Sequence, residues 1–179
     1  MEKESYNSLT MLDEIPYNVI SYLVQNNDYV FKLLKYNDAN AWKNDSSHPN
    51  LTLSEKGSLI YDGIKNQVEC RIFMDTGQDD SWQTESTQLR ISVYKGYPMN
   101  ATVFHLIIGI EVYSHYKVNT LSNYTTRDVS IIQSLVSILN GAEVGGLGKL
   151  YFEGSNSKLT TIGIHPYKGK GITMCTHIV

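Results

Sequence analysis

The sequence has little cysteine, little proline and a small excess of negative charge. Its 179 residues include 2 cysteines and 4 prolines, and the formal net charge is −3 at pH 7. Two cysteines far apart in the chain cannot form the disulfide framework of a small secreted fold or a four-cysteine zinc site. We expect Cys70 and Cys175 to be buried thiols. The acidic balance argues against a dedicated nucleic-acid-binding protein, because such proteins usually carry a basic face.

Long hydrophobic runs are also missing. The longest apolar stretch, residues 101–112, is interrupted by polar residues and falls short of the roughly 20 residues that a membrane helix needs. The first seven residues, MEKESYN, lack the apolar core of a secretion signal. We therefore expect no membrane segment and a protein that is made and assembled in the cytoplasm.

Catalytic motifs are absent from the sequence. It contains no Gly-X-Ser-X-Gly elbow, no His-Glu-X-X-His and no paired-cysteine motif. His105 and His115 are separated by about 33 Å if their segment is extended. Cys175 and His177 share one face of a predicted strand, but two ligands fall short of the four that structural zinc takes. We expect no catalytic residue, no cofactor and no metal site, and therefore a protein that is not an enzyme.

The glycine-rich segment at residues 128–153 invites comparison with a phosphate-binding loop. Such a loop follows a strand and opens a helix, whereas here a predicted helix comes first and a predicted strand follows. Glu143 and Leu150 occupy the positions where the signature requires glycine and Ser or Thr. The glycines at 145, 146 and 148 are therefore expected to reverse the chain between a helix and a strand.

Two features indicate contact surfaces. Acidic residues are frequent in the predicted loop at residues 75–86. This segment could be a solvated loop or an acidic contact patch. The alternative function is a metal-dependent enzyme or small binding module that uses this loop as a cation site. Tyrosine is frequent, with 13 residues against 4 phenylalanines, and suits either a wet interface or simple strand propensity. The candidate interface residues are Asp75, Asp79, Asp80, Trp82, Tyr94, Tyr97, Tyr113 and Tyr116.

Hydrophobic spacing predicts four helices, at residues 12–25, 28–36, 52–60 and 126–139. Asp13 is the expected cap of the first, and Thr52 with Glu55 forms a capping-box pattern at the third. Gly63 and Gly141 stand where the third and fourth helices are expected to stop.

Apolar alternation and strand propensity predict six strands, at residues 68–74, 87–94, 101–118, 149–153, 159–165 and 172–179. Residues 101–118 are long for a strand and are expected to overhang the sheet. The order of elements predicts an α+β fold in which a mainly antiparallel sheet of long hairpins packs against N-terminal helices and one inserted helix. We expect one domain over residues 1–179, with a loose segment at residues 1–10.

Several stretches resemble tailed-bacteriophage virion proteins of the neck, at the head-to-tail joint. The matching stretches are residues 30–36 (VFKLLKY), 49–56 (PNLTLSEK), 59–63 (LIYDG), 71–75 (RIFMD) with 79–80 (DD), 87–91 (TQLRI), 139–141 (LNG) and 144–152 (VGGLGKLYF). The order of helices and hairpins is also similar to that of tail-terminator and head-to-tail connector subunits.

The resemblance implies a non-enzymatic virion structural protein that forms a ring in the neck. The ring would be a hexamer or dodecamer, acting as tail terminator or head-to-tail adaptor between the portal side and the tail tube. Viral DNA would pass through it without specific binding, which suits a mildly acidic chain. The subunits would assemble in the host cytoplasm, and residues 101–118 and 75–86 are the expected contact regions.

Overall fold

The computed structural model describes residues 12–75, 84–99, 103–146, 148–152 and 157–178. Its helices are α1 (Ile15–Asn26), α2 (Asp28–Lys35), α3 (Leu53–Ser58) and α4 (Arg127–Leu139). Its strands are β1 (Ile72–Phe73), β2 (Thr87–Pro98), β3 (Phe104–His115), β4 (Leu159–Ile164) and β5 (Tyr167–Ile178). The predicted α+β class is confirmed.

Local signals explain where the N-terminal helices begin and end. Pro16 lies in the first turn of α1, where its missing N–H costs little. Glu14, and not the predicted Asp13, occupies the N-cap position, without a side-chain hydrogen bond. The side chain of Asn27 accepts a hydrogen bond from the Val30 N–H at 3.0 Å and so separates α1 from α2. The predicted capping box at α3 is present.

One five-stranded sheet runs in the order β1, β2, β3, β5, β4, and only β1 and β2 are parallel. All 12 residues of β3 have partners in β5, and the register with β2 extends from Thr87–Ser114 to Pro98–Phe104 across one bulge. At about 3.3 Å per residue these strands are about 40 Å long. The expectation that the long strand overhangs the sheet was therefore wrong, because both neighbours are equally long.

Several predicted strand boundaries were also wrong. The strand predicted at residues 87–94 continues to Pro98, through residues expected to form a turn, and the strand predicted at residues 101–118 ends at His115. Residues 66–70 form a turn, in which the Val68 N–H donates to the side-chain oxygen of Asn66, so β1 begins only at Ile72. Residues 149–151 make two isolated bridges in place of a strand. The expected loop at residues 166–171 is mostly strand, because Gly169 allows β5 to lie where a Cβ would come within 2.2 Å of a β3 carbonyl oxygen.

The core lies between the helices and one face of the sheet. Alternate residues of β3, including Leu106, Ile108 and Ile110, are fully buried in one cluster with apolar residues of the helices. β3 packs against α4, while α1 and α2 pack against β2. α4 is followed by Gly141, whose φ of 82° permits the left-handed stop that the sequence predicts. No helix within the described ranges is long and apolar enough to cross a membrane.

A buried arginine joins α4 to the end of α2. Arg127 is fully buried at the N-terminus of α4. Its guanidinium donates hydrogen bonds of 2.6 to 2.9 Å to the backbone carbonyl oxygens of Leu33, Tyr36, Asp38 and Val118. Two of these carbonyls lie at the C-terminal end of α2, where helical partners are missing. Arg127 therefore fixes the position of α2 against α4.

Candidate interaction surface

The sheet face opposite the helices, here called the second face, is covered at one end and open at the other. At the covered end, the guanidinium of Arg90 lies 4.6 Å from the centre of the Phe73 ring. Its Nη1 is 2.6 Å from the Asp75 carboxylate. Arg90 itself is 1% exposed. The segment that carries Phe73 and Asp75 is thus held onto the second face by an ion pair and a cation–π contact.

Tyr113, a candidate interface residue, belongs to this covered end. It is 6% exposed, and its hydroxyl donates a hydrogen bond of 2.9 Å to Glu111. Burial, together with this carboxylate, raises the pKa of Tyr113 far above its usual value, so the hydroxyl stays protonated. Tyr113 is therefore enclosed within the subunit, and its polar tip is already satisfied.

The described acidic residues of the predicted loop at 75–86 each have a cationic partner. Asp75 pairs with Arg90, and Glu85 pairs with Lys117. The hydrogen bond from Lys117 lowers the pKa of Glu85, which keeps the carboxylate charged. Among the residues that the structure describes, no three metal-ligating side chains form a cluster. Asp79, Asp80 and Trp82 lie outside the described residues.

The open end of the second face forms a trough of about 430 Å³. Gly109 and Gly171 contribute to its lining, so no side chains stand there. Lys95 and Lys158 come from β2 and from the segment before β4, and the candidate residue Tyr94 lies beside them. Tyr94 is 69% exposed at the bulge of β2. Isoleucines and Glu111 also line this trough, so it combines apolar surface with charges of both signs, and it offers an exposed aromatic ring to a partner.

Tyr97 lies further along the same hairpin and is half-buried. Its ring stacks on His105 with centroids 4.9 Å apart, and the ammonium of Lys95 lies 5.6 Å from its centre. His105 and His177 stand opposite each other on β3 and β5, with Nδ1 and Nε2 3.0 Å apart. Burial lowers the pKa of His105, and so does the neighbouring His177. Tyr97 is therefore ordered by a stack of aromatic rings.

Tyr116 lies at the opposite end of β3 from Tyr97. It is 52% exposed, and its ring lies 4.7 Å from that of His115. A surface pocket of about 490 Å³ places it with Pro166 and Lys168, at the turn between β4 and β5. The four predicted tyrosines thus do not form one patch: Tyr94 and Tyr97 mark the trough end, Tyr116 marks the other end, and Tyr113 is inside.

A second polar cluster was not recognised in the sequence. His48 is buried, with Nδ1 2.9 Å from Asp45 and Nε2 2.9 Å from Asp38. The hydrogen bonds to Asp38 and Asp45 raise the pKa of His48 despite its desolvation. The three-residue spacing from Asp45 to His48 is the feature of the sequence from which this contact could have been predicted. The His105–His177 pair had none, because it depends on strand register.

Comparison with known protein families identifies the YomW family. Its sequence profile matches residues 27–174, which is most of the chain and includes α2 to α4, β1 to β4 and the first eight residues of β5. No curated protein matches the sequence.

Proposed function

Since the chain belongs to the YomW family, a phage-associated protein family, we propose that it is a structural subunit of the virion neck. In this proposal, copies form a hexameric or dodecameric ring between the portal side and the tail tube and have no enzymatic activity. The family match carries the phage assignment. The resemblance of the stretches at 30–36, 49–56, 59–63, 139–141 and 144–152 to neck proteins supports the more specific assignment.

The architecture suits a subunit that bears mechanical load. Three strands of 12 residues pair along their length, and helices cover one face. At the covered end of the second face, the buried Arg90 adds an ionic contact with the exposed Asp75. Such packing resists deformation, because the interior of a protein is close-packed and transmits strain.

The exposed side chains of the β2–β3 hairpin support contact with other subunits. Tyr94 is 69% exposed and Met99 is 56% exposed, and both lie toward the far end of β2. Aromatic residues and methionine are enriched in protein interfaces. These residues and the neighbouring trough are the surface that we propose for contact with an adjacent neck protein.

The charge of the chain suits the passage of DNA without tight binding. A net charge of −3 provides few unpaired cations to displace counterions from phosphates. Three lysines, Lys158, Lys168 and Lys170, lie within residues 157–178, a segment that contains no acidic residue. We propose that the subunits as a whole do not grip DNA, and that this basic segment contributes to contacts with acidic protein surfaces.

Gene disruption in the phage tests this function and separates the two neck roles. Loss of a tail terminator should give tail tubes of uncontrolled length, since nothing stops their polymerisation. Loss of an adaptor should give filled heads and separate tails of normal length. Complementation in trans should restore joined particles in both cases. Particles that assemble normally without the protein would contradict the proposal.

A further inference from the structure

The two outer strands of the sheet, β1 and β4, differ in what lies beside them. On the outer side of β1, the Ile72 N–H donates to the carbonyl oxygen of Leu59 at 3.0 Å, and the Tyr61 N–H donates to that of Ile72 at 2.9 Å. The segment 59–61 thus occupies this edge. At the opposite edge, β4 has β5 as its partner among the described residues. The outer side of β4 is therefore open to another strand.

The register of β4 shows which backbone groups face outward. The Thr173 N–H donates to the Lys158 carbonyl oxygen at 3.0 Å, so these two residues form a hydrogen-bonded pair. Along an antiparallel ladder, hydrogen-bonded pairs alternate with pairs that are not hydrogen-bonded. Thr160 and Ile162 consequently bond to β5, while the residues between them direct N–H and C=O away from the sheet. These outward residues are Leu159, Thr161 and Gly163. Their backbone groups have no recorded partner elsewhere in the described chain.

This edge lacks the features that protect edge strands in monomeric proteins. Residues 159–164 read LTTIGI and contain no charge and no proline. Leu159 is 61% exposed, and Thr161 and Gly163 are exposed as well. Natural proteins usually protect such an edge with lysine, proline or a bulge, because it can pair with another chain. The missing protection indicates that β4 has a partner strand.

We propose that β4 pairs antiparallel with β4 of a second copy, about a two-fold axis at Thr161. This register places Thr161 opposite itself and Leu159 opposite Gly163, and an atom at the Cβ position of Gly163 would have no neighbour within 4 Å. The exposed leucine of each copy therefore meets open space above the partner's glycine. Three outward residues per copy, each with one N–H and one C=O, form about six backbone hydrogen bonds.

Charge weakens this pairing. Lys170, whose ammonium donates to the Thr161 hydroxyl at 2.8 Å, is the nearest lysine to the axis. The backbones of the two β5 strands would lie three strand spacings apart, which is about 14 Å. The two ammonium groups, each held by a Thr161 on the axis, would lie closer together than this and repel each other, so added salt should strengthen the dimer.

The β4–β4 contact does not depend on the proposed neck function, because the open edge and the two-fold symmetry are properties of the chain itself. Six-residue strands bury less than the roughly 1,200 Å² of a stable interface, so we expect a weak dimer in solution. A two-fold contact is isologous and cannot close a ring. Ring closure must therefore use other surfaces, and β4 would join copies from two rings or two subassemblies.

Cysteine cross-linking tests the proposed axis. In Thr161→Cys the two Cα atoms would lie about 5.5 Å apart, within the range that a disulfide spans. In the matched control Leu159→Cys they would lie about 13 Å apart along the strands. The native cysteines, Cys70 and Cys175, are buried and do not interfere. Mild oxidation should give at least about tenfold more covalent dimer for Thr161→Cys than for the control. Equal yields would overturn the proposal.

Sedimentation velocity over a range of concentrations provides an independent measurement. Thr161→Pro removes an outward N–H and should abolish the two-fold association, whereas Thr161→Val keeps that N–H and should preserve it. Unchanged association of Thr161→Pro, or a wild-type chain without the two-fold species, would overturn the pairing. Rings that persist in Thr161→Pro would leave the neck function standing, so the two failures are distinguishable.

Discussion

Removal of the Arg127 guanidinium should destabilise the fold more than any surface change. Arg127 donates four hydrogen bonds to backbone carbonyl oxygens and has no carboxylate partner among them. Burial lowers the pKa of Arg127 to about 10, which shows that the charged form is disfavoured by its surroundings. A shift of this size corresponds to about 3 kcal/mol, and the hydrogen bonds must offset that penalty.

In Arg127→Met the penalty disappears, but buried carbonyl oxygens lose their donors. Each unsatisfied buried group costs about 1–3 kcal/mol, and water can enter to satisfy some of them. We therefore expect the free energy of unfolding to fall by about 3–5 kcal/mol, as for other broken buried polar networks. Arg127→Lys keeps the charge and up to three donors, and should lose about half as much.

Urea denaturation followed by circular dichroism measures these losses. The control is Gln133→Met, an exposed position on the same helix, which should change the free energy of unfolding by less than about 0.5 kcal/mol. A loss below about 1 kcal/mol for Arg127→Met would refute the role of Arg127 as the clamp between α2 and α4.

Three further predictions concern pH, backbone conformation and metal binding. His48→Gln should destabilise the chain most between about pH 4 and pH 6.5. The pKa of His48 is raised by folding, so its contribution to stability is full below the unfolded-state pKa and is lost as the pH rises; the pKa of Asp45 is lowered, so its contribution is lost in acid. Urea midpoints of wild type and variant that differ equally at pH 5 and pH 8.5 would contradict this. Gly148→Val should destabilise the fold by about 1–3 kcal/mol, since φ is 73° and a Cβ would lie 3.0 Å from the carbonyl oxygen of His177. Gly148→Asn should be milder, and there should be no nucleotide binding for either substitution to remove. Calorimetric titration with calcium, magnesium or manganese should give no binding heat, because Asp75 and Glu85 are already paired; a saturable isotherm that disappears in Asp75→Asn would support the alternative of a cation site.

Signals confined to a few neighbouring residues predicted local structure well. The Thr52–Glu55 capping box and the break before Asp28 are in place, because each depends on hydrogen bonds within one turn. Gly63 and Gly148 have positive φ, as turn positions require. The alternation in β3 identified its core face correctly, since a strand presents every second residue to the helices.

Contacts between distant segments could not be predicted from the sequence. The His105–His177 contact depends on the register of β3 against β5, and one residue of slip would place these side chains on opposite faces. The Lys-Gly-Lys-Gly pattern before Ile172 is typical of a turn, yet glycine serves there for close packing against β3. Of the candidate interface residues, Tyr113 is buried, which the alternation along β3 alone does not reveal.

The location of the protein in the virion tests the central claim most directly. Purified particles would be labelled with gold-conjugated antibody against an affinity tag on the chain, and the number of copies per particle would be measured by quantitative mass spectrometry. We expect label at the head-to-tail joint and 6 or 12 copies per particle. Particles that lack the protein, or that carry it only on the capsid shell or at the tail tip, would contradict a role in the neck.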